Sequence, residues 1–272
     1  MQIKLSIITI NYNNIQGLIK TMDSVLMQTF KDFEYIVIDG ASTDGGAEYI
    51  QNHANQLTYW VSEKDTGIYN AMNKGARAAK GEYVLMLNSG DFLVDNHVIE
   101  RIIPELDGTD IIQGNTIITR QGDEYLNRGY GRSDISFIDV QCGHFVHQAA
   151  FCKRSLFNQY GYFDESLRIH GDTKFFYLTL GFGNATFRYV DVNIAYYDMN
   201  GISAGTTENH RRLFAEEQER MDNEVFSNRL MQLCLDAPKK IALYNKLHRH
   251  KWAWYITMLL VRVLNRIENK DV

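Results

Sequence analysis

Two periods of hydrophobicity alternate through residues 1–91, and this alternation restricts the fold more than any other feature of the chain. Apolar residues recur at helical spacing over 15–26 and 68–79, between short apolar runs that suit strands buried on both faces. Those runs cover residues 5–10, 34–39, 57–62 and 82–87. Strands that alternate with helices predict an α/β domain with a Rossmann-like, mostly parallel sheet and helices on both faces.

The rest of the chain is less regular. The remaining predicted elements are strands over 110–119, 144–152 and 186–198, a helix over 172–181, and a glycine-rich polar segment over 122–132. The pattern is helical from residue 206, and Pro238 can begin the terminal part of this region. We therefore predict one domain over 1–205, divided into halves at residue 91, and a helical extension over 206–272.

Polar residues follow each of the first four predicted strands. The strand ends read "TINYNN", "IDGASTDGG", "SEKDTG" and "LNSGD". Because the carboxyl ends of parallel strands meet at one edge of a sheet, these residues are expected to line one crevice. The turn over 39–44 offers carboxylates, hydroxyls and backbone N–H groups that can bind a nucleoside. It also reads as an ordinary Asx turn before a helix.

Asp91 ends the fourth strand and suits a hard divalent cation. Mg2+ takes only one or two protein carboxylates and completes its shell with phosphate oxygens and water. The alternative is a turn or helix N-cap aspartate. The chain contains neither G-x-x-x-x-G-K-[ST] nor G-x-G-x-x-G, which disfavours a P-loop enzyme and a dinucleotide-binding domain.

Composition excludes several other classes. A net charge of −5 argues against a general nucleic-acid binder. Cys142, Cys152 and Cys234 are odd in number and lack metal-ligand spacing, so we interpret them as reduced core thiols of a cytoplasmic protein. No secretory signal is visible, and the longest apolar run, 252–261, is too short to span a membrane.

Four spaced motifs together resemble those of bacterial family-2 inverting glycosyltransferases of the polysaccharide-assembly type. They are "SIITINYNN", "VIDGASTDGG", "SEKDTGIYNAMNKGARAAKGEYVLMLNSGD" and "HQAAFCKRSLFNQYGYFDESLRIHGD", within residues 3–205. The resemblance implies the GT-A fold and a nucleotide-sugar donor. It implies a nucleotide site made of Thr9, Asn11, Asp39, Ser42, Asp44, Glu63, Asp65, Asn88, Ser89 and Gly90.

The resemblance also implies the residues of the reaction itself. Asp91 takes the place of the ligand that holds Mn2+ or Mg2+ on the diphosphate. Asp172 takes the place of the base that removes a proton from the acceptor hydroxyl. It can also be an N-cap, a role compatible with the first. His147 and Gln148 are placed in the acceptor or sugar pocket, although a buried, hydrogen-bonded histidine is an equal reading of His147.

Four positions depart from the family pattern. Asn88 and Gly90 stand where relatives often carry acids, Gly171 replaces the acid before the base, and Lys174 replaces a further acid. These departures keep open a catalytically silent saccharide- or nucleotide-binding relative. We expect Lys174 to face solvent rather than an anionic acceptor. A sugar nucleotidyltransferase is disfavoured, because "NYNNIQG" after the first strand has no arginine or lysine.

The expected reaction moves a sugar from a UDP- or dTDP-sugar to a saccharide hydroxyl, on a lipid-linked or surface-polysaccharide acceptor. The segment 239–272 carries eight lysines and arginines against two acids, with Trp252 and Trp254 among apolar residues. Such a helix can lie in the membrane interface, at the inner face of the membrane. Packing on the catalytic domain or on a second subunit of a homodimer is an equal alternative.

Overall fold

The computed structural model describes residues 3–120, 123–135, 139–140, 145–198 and 207–225. The chain divides into one compact unit, Met1–Val225, and a second unit, Phe226–Val272, which lies outside the described residues. The described residues of the first unit form nine strands: β1 Leu5–Asn11, β2 Glu34–Asp39, β3 Tyr59–Ser62, β4 Tyr83–Met86, β5 Phe92–Leu93, β6 Ile111–Arg120, β7 Asp123–Asn127, β8 Ala150–Lys153 and β9 Phe187–Asp198. Its helices are α1 Ile15–Leu26, α2 Gly46–Asn52, α3 Ile68–Ala78, α4 Val98–Ile102, α5 Ser155–Tyr160, α6 Gly171–Phe176 and α7 Glu208–Val225.

One sheet runs through the unit in the order β3-β2-β1-β4-β8-β6-β9-β5, and β7 pairs with β6. The four strands of the first half are parallel, in a register that pairs Asn11 with Asp39 and Asp39 with Ser62. In the second half, β8 runs antiparallel to β4 and β6, whereas β9 is parallel to β6. The α/β fold is therefore confirmed, and the parallel strands bring polar residues to one edge.

Strands β1 and β2 are buried along their whole length because helices cover both faces of this half. On one face, Leu5 and Ile7 pack in a core with Leu18 and Met22 of α1. On the other face, Gly75 of α3 lies so close to Ile8 that an added Cβ would meet its side chain at 2.3 Å. Their continuous apolar sequence follows from burial on both sides.

Two sequence predictions in the second half are wrong in detail. The polar segment over 122–132 contains β7, an exposed strand that pairs with β6 by backbone hydrogen bonds, which need no apolar side chains. The strand predicted over 144–152 begins only at Ala150, after a 3-10 turn, His147–Ala149. The pairing of β8 with β6 ends where Ala150 lies opposite Gln113. The continuous apolar run in the sequence does not mark this end.

The helical region predicted from residue 206 is described only as far as Val225, where α7 belongs to the same compact unit as the sheet. The predicted boundary at 205/206 stays a prediction, and Pro238 and the segment 239–272 lie outside the described residues. Across the described ranges, no helix is both long and apolar enough to cross a membrane. Cys152 is a buried thiol of β8, and Cys142 and Cys234 fall outside the description.

Candidate active site

A cavity of about 890 Å³ lies at the carboxyl ends of the parallel strands. Most of the predicted site residues line it: Asn11, Asp65, Asn88, Ser89, Gly90, Asp91, His147, Gln148 and Asp172. The predicted residues that do not line it are Thr9, Asp39, Ser42, Asp44 and Glu63. The structure therefore brings the two predicted reactive carboxylates, Asp91 and Asp172, to one cavity.

Asp39 is fully buried and acts as the centre of a hydrogen-bond network at the edge of the sheet. Its carboxylate accepts from Asn11 Nδ2 (2.8 Å), from the backbone N–H (2.9 Å) and hydroxyl (2.5 Å) of Ser42, and from Ser62 Oγ (2.6 Å). Burial raises the pKa of Asp39, but these hydrogen bonds outweigh it and hold the pKa below its usual range. Asp39 thereby orders the loop of Gly40, Ala41 and Thr43, which does line the cavity.

Ser42 and Asp44 join this loop to the chain that follows β1. Ser42 Oγ accepts from the backbone N–H of Asn13 at 2.8 Å. Asp44 accepts from the backbone N–H groups of Ile15 (2.7 Å) and Gly46 (3.0 Å), at the first residues of α1 and α2. Both side chains therefore accept from backbone N–H groups in the turn or at the start of a helix. This agrees with the Asx turn that the sequence also allows.

The other two predicted nucleotide residues away from the cavity have local partners. Thr9 is fully buried, and its hydroxyl lies 3.1 Å from that of Tyr35. Glu63 forms an ion pair with Lys74 (2.8 Å). Asp65, in contrast, lines the cavity, where burial raises the pKa of its carboxyl although the backbone N–H of Gly67 and the charge of Lys74 oppose the rise.

Residues 88–91 form a turn that is hydrogen-bonded to α1 and to its N-cap residue. Asn14 Nδ2 donates to the Ser89 carbonyl oxygen (3.1 Å), and Thr21 Oγ1 donates to the carbonyl oxygen of Asp91 (2.6 Å). Thr21 Oγ1 also accepts from the Gly90 N–H (3.0 Å). Gly90 has φ of 108°, a region that favours glycine, which explains why an acid does not stand there. Thr21 is not among the predicted site residues, and its one sequence signal is that it is a polar residue on the apolar face of α1.

The oxygen atoms of this turn suit a divalent cation. Asp91 lines the cavity with only 5% of its surface exposed. Asn88 Oδ1 is buried without a hydrogen-bond partner, so it is an oxygen left available for a ligand. Within the described ranges, no cluster of three or more histidines, cysteines or acids can hold a metal. One carboxylate with one amide oxygen fits Mg2+ or Mn2+ that is also bound by phosphate and water.

Asp172 is the second residue of α6, whose N-cap is His170, so the alternative N-cap reading of Asp172 is wrong. The side chain of Asp172 receives three hydrogen bonds. Its carboxylate accepts from His147 Nδ1 (3.0 Å), Tyr69 OH (3.0 Å) and the backbone N–H of Thr173 (2.9 Å). Burial raises its pKa, but His147, Tyr69 and Thr173 together hold the pKa below the usual range. Asp172 is therefore ionised near neutral pH and can accept a proton.

His147 connects Asp172 to the turn at residues 88–91. Its Nε2 lies 3.2 Å from Asn88 Nδ2, which can only donate. A neutral imidazole with its proton on Nδ1 therefore satisfies both neighbours: it donates to Asp172 and accepts from Asn88. His147 is half-buried and hydrogen-bonded, and it also lines the cavity, so the two sequence readings of this histidine are compatible.

Tyr69 of α3 is a site residue that sequence analysis missed. Its hydroxyl faces the Ile169 carbonyl oxygen (2.7 Å) as well as Asp172. Its ring packs on Gly171, where an added Cβ would lie 2.7 Å from ring carbons. The ring therefore occupies the space that an acid at position 171 would need, which accounts for this departure from the family pattern.

The solvent-facing interpretation of Lys174 is wrong. Its side chain is only 17% exposed and pairs with Asp164 (2.7 Å) and with Glu224 of α7. Burial lowers its pKa, but the two carboxylates outweigh burial and raise it. Lys174 therefore joins α6 to α7 and does not line the cavity. Among the described residues, Lys64 and Arg168 do line it.

The sheet is parallel over β1 to β4 and mixed in its second half, so the predicted mostly parallel sheet holds only for the first half. This sheet, with a cavity at its strand ends, has the GT-A fold of nucleotide-sugar-dependent glycosyltransferases. The chain belongs to glycosyl transferase family 2, whose family model matches residues 6–161. Thr21, Asn88, Asp91 and His147 lie inside the matched segment, and Asp172 lies beyond it.

Comparison with individual proteins agrees with this assignment. An uncharacterised glycosyltransferase of Mycobacterium tuberculosis is 32% identical over 173 residues, which cover 62% of this chain and 66% of the relative. The structure of S. aureus TarS 1-349 in complex with UDP-GlcNAc has a TM-score of 0.67 at 17% identity, and the match covers 86% of this chain and 71% of that fragment. A mannosyltransferase of Pyrobaculum calidifontis, in complex with GDP-Man and Mn2+, has a TM-score of 0.56 at 15% identity over 96% of this chain and 85% of its own.

Proposed function

We propose that this protein is an inverting glycosyltransferase that moves a sugar from a UDP- or dTDP-sugar to a hydroxyl of a saccharide acceptor. The observation that carries the proposal is the arrangement around one cavity of two carboxylates with different surroundings. Asp91 lines the cavity in the same turn as Asn88, whose amide oxygen lacks a hydrogen-bond partner, whereas Asp172 is held ionised by three donors. The first suits a metal-bound diphosphate, and the second suits a base.

The nucleotide is proposed to bind along the ends of β1, β2 and β3. Gly40, Ala41 and Thr43 present backbone groups there, and Asp65 presents a carboxyl. Tyr12 lines the same part of the cavity with 66% of its surface exposed, so its ring is available to stack on a base. Asn11, Asp39 and Ser42 are proposed to support this wall through their shared hydrogen bonds. The UDP-GlcNAc complex of TarS supports a uridine nucleotide as the donor.

Asp91 is proposed to hold Mn2+ or Mg2+, with Asn88 Oδ1 as a second oxygen. The metal would neutralise the negative charge that develops on the leaving diphosphate. The Mn2+ complex of the mannosyltransferase supports a divalent cation in this fold. Ser89 and Gly90 shape the turn that carries Asp91 to the cavity.

Asp172 is proposed to take the proton of the acceptor hydroxyl. The acceptor oxygen then forms a bond to the anomeric carbon, the bond from that carbon to the diphosphate oxygen breaks, and the nucleoside diphosphate leaves with the electron pair. Attack from the face opposite the leaving group inverts the anomeric configuration. Tyr69, His147 and Thr173 fix the carboxylate, so that it needs little reorganisation when the hydroxyl approaches.

The acceptor is proposed to be a lipid-linked or surface-polysaccharide saccharide, bound on the side of His147 and Gln148. Contact of the segment 239–272 with the inner face of a membrane, or with a second subunit, stays a prediction. A silent nucleotide-sugar-binding relative is the second candidate, because residues 88–91 carry a single carboxylate. Slow hydrolysis of the donor by the purified protein would exclude it.

The deciding experiment is calorimetric titration with UDP in the presence of Mn2+, then with chelator, on the wild type and on Asp91→Ala. We expect UDP binding that needs the metal and is lost in Asp91→Ala but not in Asp32→Ala, a change at an exposed aspartate away from the cavity. A UDP-sugar panel would then identify the donor, and Asp172→Asn should bind UDP without hydrolysing any of them. Failure to bind either UDP or dTDP would contradict the proposal.

A further inference from the structure

A second cavity, of about 420 Å³, adjoins the first. Four residues line both cavities: His147, Gln148, Asp172 and Tyr197. The proposed base therefore stands where the two meet. A molecule in the second cavity would have one end beside Asp172, which is where the proposed function places the acceptor.

The wall of the second cavity away from this junction is mainly apolar and aromatic. Phe145 and Phe176 lie with ring centroids 3.8 Å apart, and Ile169, Tyr177 and Phe214 continue the wall. Phe214 of α7 packs edge-on against His170, at a centroid distance of 4.3 Å. Its side chain is nevertheless 44% exposed, so it borders the cavity at the surface of the domain.

Two polar side chains of this wall, His170 and Gln218, already have partners within the protein. His170 Nε2 lies 3.2 Å from the Phe214 carbonyl oxygen, and Gln218 Nε2 donates to Asp222 Oδ1 at 2.9 Å. Burial also lowers the pKa of His170, which disfavours a charge there. A sugar ring placed against these described residues would lose hydrogen bonds to water and regain few. An apolar group would lose none.

We propose that the second cavity binds an apolar group, aryl or alkyl, that the acceptor carries next to its reacting hydroxyl. The inference rests on the proposed function, since it extends the acceptor side of that site. The acceptor is then recognised by its aglycone as well as by its sugar, with the hydroxyl directed to Asp172 at the junction. Aromatic walls and a polar end are the usual construction of a site for such amphipathic ligands.

The test uses two probes that share a sugar, phenyl and methyl β-D-glucopyranoside, with the full chain in the presence of UDP and Mn2+. Saturation-transfer NMR gives the affinity of each probe. We expect the phenyl glucoside to bind about tenfold or more tightly than the methyl glucoside, with the strongest transfer to the phenyl protons. Phe214→Ala should weaken phenyl glucoside binding by about threefold to tenfold, because it removes one wall of the cavity.

Phe182→Ala is the matched control, since Phe182 is exposed to nearly the same extent, 43%, and does not line the cavity. It should leave the affinity for the phenyl glucoside unchanged. Equal affinities for the two probes, or equal loss in both variants, would overturn the inference. UDP binding is measured in a separate titration. If UDP binds but the phenyl glucoside does not bind more tightly than the methyl glucoside, this inference fails and the proposed function does not.

Discussion

At the scale of single residues, the site depends on a histidine with two partners. His147 donates to Asp172 and receives from Asn88, so one imidazole connects the proposed base to the turn that carries Asp91. A buried carboxylate is stable in its charged form only when donors surround it. Among the donors that lower the pKa of Asp172 against the effect of burial, His147 contributes most.

Substitution of His147 should therefore change the pH dependence of the reaction. In His147→Ala, Asp172 loses a donor and its pKa rises. The base is active only when ionised, so the acidic limb of the pH profile of donor hydrolysis should move to higher pH. We also expect the rate at neutral pH to fall by about tenfold to a hundredfold, because the carboxylate is less well positioned.

The control for this prediction is His97→Ala, an exposed histidine whose partner is Glu100. Its pH profile should match that of the wild type. Calorimetry with UDP and Mn2+ should show whether His147→Ala affects donor binding separately from the rate. A lower rate with an unmoved acidic limb would show that His147 does not act through the ionisation of Asp172.

At the scale of elements, α6 is a short helix that carries the base and depends on α7 for its position. Helices of this length are unstable alone and need tertiary contacts. Glu217 of α7 is 6% exposed, and its carboxylate accepts from the backbone N–H groups of Arg168 (2.8 Å), Ile169 (2.9 Å) and His170 (3.3 Å). Lys174 of α6 adds an ion pair to Glu224.

Loss of the Glu217 carboxylate should weaken both stability and activity. Glu217→Ala leaves the buried N–H groups before α6 without acceptors, which we expect to lower the free energy of unfolding by about 2 to 3 kcal/mol. Urea unfolding measures this change, and donor hydrolysis should fall because residues 168–170 no longer position Asp172.

Glu219→Ala is the matched control, because Glu219 is an exposed acid of the same helix. Glu217→Gln, which keeps an acceptor oxygen, should fall between the wild type and Glu217→Ala. Equal stability of the two alanine variants would show that α7 does not support α6 through this carboxylate.

At the scale of the whole molecule, the proposed donor site draws on distant parts of the chain. Residues that follow β1, β2, β3 and β4 meet residues from 147–148 and 168–172 around one cavity. A ligand that contacts all of them binds the folded state and not the unfolded chain, so it must stabilise the fold.

UDP with Mn2+ should therefore raise the stability of the whole domain. At a UDP concentration about a hundred times Kd, the expected gain is about 2.7 kcal/mol, which thermal or urea unfolding can measure. Chelator should remove most of this gain, and Asp91→Ala should show none. An equal gain in Asp91→Ala would mean that Asp91 does not hold the metal on the diphosphate.

Several features could be predicted from local sequence. The period of the apolar residues predicts β1, β2 and α1 closely, because burial on one face of a helix or both faces of a strand leaves a direct pattern. Asp91 and Asp172 could be predicted by motif resemblance, and the position of Asp91 at the cavity follows from the rule that ligands bind at the carboxyl ends of parallel strands.

Other features were decided only by the tertiary structure. Tyr69 and Gly171 are distant in sequence. Neither residue alone shows that the Tyr69 ring fills the space that an acidic side chain at position 171 would need. The sequence around Lys174 predicts a surface lysine, because the ion pair with Glu224 of α7 joins residues that are far apart in the chain. Asp39 belongs to the nucleotide site that the motif resemblance predicts, but only strand register and the turn at Ser42 show that it accepts four hydrogen bonds within the protein.

The sequence by itself thus determined the class of fold, the edge of the sheet that carries the site and the acids that reach it. These properties depend on periodicity and on which residue follows each strand, and both are local. The tertiary structure alone decided which donors hold Asp172, what Lys174 contacts and that a second, apolar cavity adjoins the first. Those outcomes depend on contacts between residues far apart in the chain, for which a single sequence carries no pattern.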